Sequence, residues 1–135
     1  EKIMVMVDTS VWIDYFKNRA TRSSVALKKL LKSDEPICFT GLIFTEVLQG
    51  IKEDCLYEEI KEALSVFEMI VTEDVKIYES AVQIYRRARK DGYTIRKTID
   101  CVIAASAIAA GVSLLHNDRD FDAICKYSDL RTVEH

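Results

Sequence analysis

The sequence predicts an α/β fold with a mainly parallel central sheet. Two observations lead there. Short apolar runs at Ile3–Val7, Pro36–Phe39, Met69–Val71 and Val112–Leu115 alternate with longer stretches of helical periodicity. The first run is apolar without alternation, the pattern of a strand covered on both faces. Strands separated by helical segments need crossover connections, and those join parallel neighbours. With 135 residues, 49% of them hydrophobic, 30% charged and one proline, the chain can bury a real core. That composition excludes disorder and collagen-like structure, and one domain spanning residues 1–135 is expected.

The elements follow in order. The first strand ends at Asp8-Thr9-Ser10, and a helix begins at Val11 with Trp12, Ile13, Tyr15 and Phe16 on a wide apolar face. These aromatics are expected to pack in the core rather than to stack on bases. A second helix is expected over Ser23–Leu31, capped by Ser23 or Ser24. After the strand at Pro36–Phe39, Thr40 caps a helix that runs through Gln49 and stops at Gly50. Asp54–Glu68 carries a helical stripe of Leu56, Ile60, Leu64 and Phe67. Val75–Lys90 carries one of Ile77, Ala81, Ile84 and Ala88, with Gly92 as its stop. Thr98 is expected to cap Ile99–Ala110, a helix of small apolar residues that should be buried on most sides and end at Gly111. A strand at Val112–Leu115, a polar turn from His116 to Asp120, a short helix from Phe121 to Tyr127 and an edge strand at Leu130–Val133 complete the chain.

The net charge of −3 does not by itself point to nucleic acid, but the charges are segregated. Lys17, Arg19, Arg22, Lys28, Lys29 and Lys32 form one basic stretch. Arg86, Arg87, Arg89, Lys90, Arg96 and Lys97 form another, and the segment from Glu53 to Glu79 is acidic. A globule of this kind can be acidic overall and still carry a basic face. The uncharged stretch Cys101–Leu115 falls short of the ~20 residues that a membrane helix needs. No secretory signal pattern is visible, so a cytoplasmic protein with no membrane association is expected. Cys38, Cys55, Cys101 and Cys125 are far apart, and only His116 and His135 could join them, so reduced thiols are expected and a zinc site is poorly supported.

Four carboxylates stand out by position. Asp8 follows the first strand, and Asp118 lies just beyond the strand that ends at Leu115. In a parallel sheet both strand ends reach one edge, where ligands bind. Asp100 lies in the first turn of the small-residue helix. Glu46 interrupts the otherwise apolar Leu42-Ile43-Phe44-Thr45-Glu46-Val47-Leu48. Each has an ordinary structural reading, as a cap, a turn former, a dipole partner or an exposed helix position. Four converging carboxylates cannot all stay ionised without compensation, and the natural compensation is a hard divalent cation such as Mg²⁺ or Mn²⁺. Such ions activate water and stabilise charge on a phosphoryl group.

Five segments carry a resemblance. They are Val7-Asp8-Thr9-Ser10-Val11-Trp12, Thr45-Glu46-Val47-Leu48, Thr94-Ile95-Arg96, Asp100-Cys101-Val102-Ile103-Ala104-Ala105 and Leu114-Leu115-His116-Asn117-Asp118-Arg119-Asp120-Phe121. In this order the set resembles the PIN-domain nucleases, and most closely the VapC-type toxins of prokaryotic toxin–antitoxin pairs. The resemblance implies a three-layer α/β/α fold and an endoribonuclease that cleaves RNA with metal-activated water. It matches Asp8, Glu46, Asp100 and Asp118 to the acids that hold the metal. Asp120 and Ser10 match secondary positions of that site. His116-Asn117 departs from the threonine-containing turn common there, which leaves Asp118, Asp120 and Asp122 as contenders for the outer ligand, with Asp118 preferred. Arg96, Lys97 and Arg119 are candidates to bind the RNA backbone, by contacts that give affinity rather than sequence preference. A homodimer and a VapB-like antitoxin are further implications.

Other readings fit less well. A phosphoacceptor receiver domain would need adjacent acids after the first strand, and a haloacid-dehalogenase-type phosphatase would need an acid where Ser10 stands. A PIN-fold processing nuclease without an antitoxin, or a PIN fold that only binds RNA or protein, remain as alternatives.

Overall fold

The computed structural model describes residues 4–71 and 74–135. Four short strands are found among them: β1 (Val5–Val7), β2 (Ile37–Thr40), β3 (Glu68–Ile70) and β4 (Ser113–Leu115). The helices are α1 (Thr9–Phe16), α2 (Arg22–Lys32), α3 (Gly41–Gln49), α4 (Asp54–Leu64), α5 (Val75–Lys90), α6 (Thr98–Ala110) and α7 (Arg119–Lys126). All strand pairs are parallel, in the order β3-β2-β1-β4. Moving from β1 to β2 to β3 goes one way across the sheet, and β4 returns to the other side of β1. Right-handed crossovers therefore put α1–α4 on one face and α5–α6 on the other. The contacts agree: α1 packs on α2 and α3, and α5 packs on α6. The reversal of direction lies between β1 and β4.

The strands are buried except at one edge. Every residue of β1 and β2 is buried, whereas β3 is largely exposed. At the opposite edge, the expected strand Leu130–Val133 is a single parallel bridge between Leu114 and Thr132. It is held by Leu114 N–H to the Arg131 carbonyl and Val133 N–H to the Leu114 carbonyl, each at 2.9 Å. One bridge is enough to cover β4 and shield the sheet edge.

Several boundaries differ from expectation, and each difference is an end effect. Ile3, expected in the first strand, lies outside the described residues. The α1 helix starts two residues earlier than Val11, because Asp8 caps it by accepting from Ser10 N–H. For α2 the cap is Thr21 rather than Ser23 or Ser24, and the Ser24 side chain returns the bond to Thr21 N–H. Thr40 caps α3 as expected, by accepting from Ile43 N–H. The α4 helix stops at Leu64, so Ile60 and Leu64 are buried while Leu56 is 41% exposed. Lys97 rather than Thr98 occupies the cap position of α6, with no side-chain bond.

Trp12 is a core residue, 1% exposed. Its ring stacks on Phe16 and tilts against Phe67, while Nε1–H donates to the Val7 carbonyl over 3.1 Å. That bond ties α1 to the end of β1 and leaves no base-stacking role for the ring. The four cysteines are free thiols. Burial pushes Cys38 up to about 12, with Glu68 adding to it, so this thiol is inert.

Gly111 ends α6 at φ +69, a left-handed conformation, with open space where a Cβ would sit. Gly111→Ala therefore strains only the backbone. It is expected to lower stability by about 1–2 kcal/mol in urea denaturation, without altering the fold.

Candidate metal centre

The carboxyl edge of the sheet is built where β1 and β4 lie side by side. Val7 pairs with Leu115, and Asp8 N–H donates to the Leu115 carbonyl over 2.9 Å. The chain after each strand thus leaves the sheet at one place, the switch point at which open α/β sheets bind ligands. Asp8 follows β1 directly, and Asp118 follows β4 after His116-Asn117. Asp100 comes from the first turn of α6, and Glu46 from the middle of α3.

Local hydrogen bonds fix each side chain. Asp8 Oδ2 accepts from the Ser10 hydroxyl at 2.9 Å and from Ser10 N–H at 3.3 Å. The same hydroxyl accepts from Asn117 N–H at 3.2 Å, so Ser10 links the two strand ends. Thr9 donates to Glu46 Oε1 over 2.9 Å and joins α1 to α3. Asp118 caps α7, its Oδ1 accepting from Asp120 N–H at 2.9 Å. Asp118 N–H donates to His116 Nδ1 over 3.2 Å, which puts the proton of the neutral imidazole on Nε2. His116 is buried, and that burial lowers its pKa and keeps the ring uncharged.

Asp100, Asp118 and Asp120 each bring a carboxylate oxygen within 4.8 Å of the others. Asp8 and Glu46 are outside that trio, but both raise the pKa of Asp100 and so share its electrostatic environment. Burial, helped by Asp8, Asp118 and Glu46 against the opposing Lys97, lifts Asp100 to about 7. Burial also raises Asp8, against the hydrogen bonds from Ser10. For Asp120, burial acts upward but is outweighed by Tyr93 and Arg96, and its pKa falls.

Among the candidates for RNA contact, Arg96 joins the acids directly, with Nε 3.0 Å from Asp120 Oδ2 and Nη2 3.3 Å from Asp118 Oδ1. Lys97 and Arg119 are exposed at the starts of α6 and α7; Lys97 acts at longer range on Asp100, and Arg119 on the Tyr93 hydroxyl. Asp122 is turned away, with its side chain 75% exposed and 3.6 Å from His116 Nε2. Three contributors escaped the sequence reading: Thr9, Asn117 and Tyr93. Tyr93 adjoins Thr94-Ile95-Arg96, and a hydroxyl next to a segment already singled out was the available signal.

The donor set suits a hard cation. Asp100 Oδ2 is buried and receives no hydrogen bond, a costly state for a carboxylate. The surrounding groups are carboxylates, with neither thiolate nor imidazole among the three clustered acids. Oxygen-only sets of this kind fit Mg²⁺ or Mn²⁺.

The PIN domain family profile matches residues 5–127. VapC ribonuclease Mb1587 of Mycobacterium bovis is 32% identical over 131 residues, covering 96% of this chain and 98% of that protein. The chain belongs to the PIN domain family and is of the VapC type. Solved structures share the fold. VapBC2 from Rickettsia felis, bound to a DNA fragment from its promoter, superposes with a TM-score of 0.76 at 19% identity, covering 97% of this chain and 98% of that one. A toxin–antitoxin complex from Klebsiella pneumoniae does so with a TM-score of 0.68 at 24% identity, covering 87% and 89%. In this PIN domain, as in the sequence expectation, the sheet is parallel and helices cover both of its faces.

The raised Asp100 pKa has a defined consequence for stability. Between pH 3.8, the ordinary value, and about 7, the folded chain holds a proton that the unfolded chain has released. Its contribution is therefore present in full below the ordinary value and is lost as pH rises through about 7. Asp8 acts in the same sense. His116, whose pKa is lowered, acts in the opposite one: its contribution is present above its ordinary value and lost as pH falls through the folded one. Asp100→Asn removes the Asp100 part alone. In EDTA, the melting temperature of the variant minus that of the parent should be near zero at pH 4 and rise to a plateau above about pH 7. The underlying difference is on the order of 4 kcal/mol at most.

Proposed function

We propose that this VapC-type PIN domain is a Mg²⁺- or Mn²⁺-dependent endoribonuclease, the toxin of a type II toxin–antitoxin pair. The observation that carries the metal dependence is the buried, donorless Oδ2 of Asp100 beside Asp8, Glu46 and Asp118. The ribonuclease reading is supported by the name of the Mycobacterium bovis relative, and the toxin reading by the complexes that share the fold. A VapB-like antitoxin, a homodimer and a cytoplasmic location belong to the same reading, as does a single domain over residues 1–135.

Asp8, Glu46, Asp100 and Asp118 would hold the ion, with Ser10 fixing Asp8 and Thr9 fixing Glu46. When bound, the ion supplies Lewis acidity toward the phosphate and makes water a competent nucleophile at neutral pH. The chain's own residues do the rest. The four acids come from different elements: Asp8 and Asp118 from beyond the ends of β1 and β4, Glu46 from α3 and Asp100 from α6. Arg96 presents a cation beside the acids, where an RNA backbone would otherwise be repelled. His116 is buried and its Nδ1 lone pair is taken by Asp118 N–H, with the proton on Nε2, so this ring has no free lone pair with which to act as a base. No helix among the described residues is long and apolar enough to cross a membrane.

Purified protein free of antitoxin, incubated with total cellular RNA, should give discrete fragments with Mg²⁺ or Mn²⁺ and none with EDTA. Asp100→Asn should reduce cleavage on the order of 100-fold or more. Folded protein that neither cuts RNA nor binds either ion would sink the reading.

Either ion should also raise the melting temperature, by an amount equivalent to about 3 kcal/mol at a hundred times its dissociation constant. Because the ion requires ionised Asp100, the shift should be larger at pH 8 than at pH 6. Calorimetric scans at the two pH values check this, and an equal shift would remove Asp100 from the ligand set.

A further inference from the structure

Tyr93 and Arg96 stand in the connection between α5 and α6, and both reach the same carboxylate. The Tyr93 hydroxyl donates to Asp120 Oδ1 over 2.7 Å, and Arg96 Nε donates to Asp120 Oδ2 over 3.0 Å. Ile95, 2% exposed, anchors the connection between them in the core. Asp120 is itself only 1% exposed, in the first turn of α7. Both of its oxygens are therefore taken by protein donors, one of them cationic. The second arm of the fork, Arg96 Nη2, lies 3.3 Å from Asp118 Oδ1. Two carboxylates fixed on one helix start set the plane of the guanidinium, although 58% of the Arg96 side chain faces solvent.

Asp120 lies in the acid cluster, with an oxygen within 4.8 Å of Asp100 and Asp118, but its pairing sets it apart from them. An ion gains little from a carboxylate already neutralised by arginine and hydrogen-bonded at both oxygens. It gains far more from Asp100, whose Oδ2 has no donor. The bonds to Asp118 and Asp120 leave the Nη1 edge of the fork for an incoming oxyanion, and a planar fork held in one orientation is what recognises a phosphate bidentately. We propose that Asp120 and Tyr93 are positioning residues, not metal ligands. They hold the Arg96 guanidinium at the rim of the acid cluster, where its Nη1 edge binds a phosphate of the RNA backbone. The identity of that phosphate rests on the nuclease reading; the division between ligand and positioning acids does not.

The test has two arms on the intact chain. In the first, Mn²⁺ binding is titrated calorimetrically. Tyr93→Phe and Asp120→Asn should stay within about threefold of the parent, and Arg96→Gln should bind at least as tightly, since a nearby cation is gone. Asp118→Asn should lose about tenfold or more. If Asp120→Asn loses Mn²⁺ as Asp118→Asn does, Asp120 is a ligand and the proposal fails.

In the second arm, cleavage of total cellular RNA is measured with Mn²⁺. Arg96→Gln should lower kcat/KM by about 10- to 100-fold. Arg96→Lys should recover part of it, because charge remains without the fork. Tyr93→Phe, the variant least able to disturb folding, should lower it by a smaller factor, and Asp120→Asn by a factor similar to Arg96→Gln. Either one combined with Arg96→Gln should add less than about twofold, since all three remove one interaction. Losses that multiply would overturn the positioning role, as would a Tyr93→Phe enzyme identical to the parent. If the parent binds Mn²⁺ but cuts no RNA, the nuclease reading and the phosphate assignment fail together. The first arm still decides whether Asp120 is a ligand.

Discussion

A carboxylate that is 3% exposed, with one oxygen that receives no hydrogen bond, is expensive to keep charged, and Asp100 is in that position with Asp8, Asp118 and Glu46 around it. Desolvation and like-charge repulsion act in the same direction there, and Lys97 offsets them only in part. The fold does not relieve this strain by moving the acids apart. It holds them by fixed bonds: Asp8 to Ser10, Glu46 to Thr9, Asp118 to its own helix start. The cost is tolerable because the scaffold beneath is apolar and fully buried, with Met6, Val7, Leu114 and Leu115 at or near 0% exposure in the two strands that deliver Asp8 and Asp118.

That scaffold also explains why the site falls where it does. A parallel sheet aligns the carboxyl ends of all its strands, but only between β1 and β4 does the winding reverse, so only there do the connections leave in opposite directions. The bond from Asp8 N–H to the Leu115 carbonyl ties the two strand ends together, and Ser10 with Asn117 N–H links them one step further out. Trp12 contributes from below by bonding the Val7 carbonyl, which fixes the first turn of α1 against β1. Stability and placement are therefore supplied by the same few residues at the β1–α1 junction.

Much of this was legible in the sequence. Uniform apolar runs such as Met4–Val7 have one physical solution, burial on both faces, and the alternation with helical segments then leaves little besides a parallel sheet. Helix α5 was readable to the residue, because its stripe of Ala81, Ile84 and Ala88 is buried at helical spacing and Gly92 follows its end. Helix ends were less readable. Thr21, Ser23 and Ser24 are all competent caps, and only the path of the preceding chain chooses Thr21. The strand expected near Leu130 reduced to one bridge because strand pairing depends on a partner in space, which periodicity does not encode. The acids at strand ends could be singled out from position alone, but not their different surroundings. Asp118 and Asp120 are two residues apart, and nothing local in the sequence says that one of them is locked by Tyr93 and Arg96, far away along the chain.

The resulting contrast concerns how negative charge is compensated. Asp120 finds its counter-charge inside the protein, and its pKa falls despite burial. Asp100 has only the exposed Lys97 at longer range, which does not outweigh burial and the neighbouring acids, and its pKa rises. Had the fold supplied an arginine to Asp100 as well, the cluster would be more stable and would have no use for a cation. Had Asp120 been left unpaired, one more carboxylate would repel the remaining acids. In the function proposed above, internal pairing at one acid and its omission at the next would let the same cluster take a metal ion and still accept a polyanion at its rim.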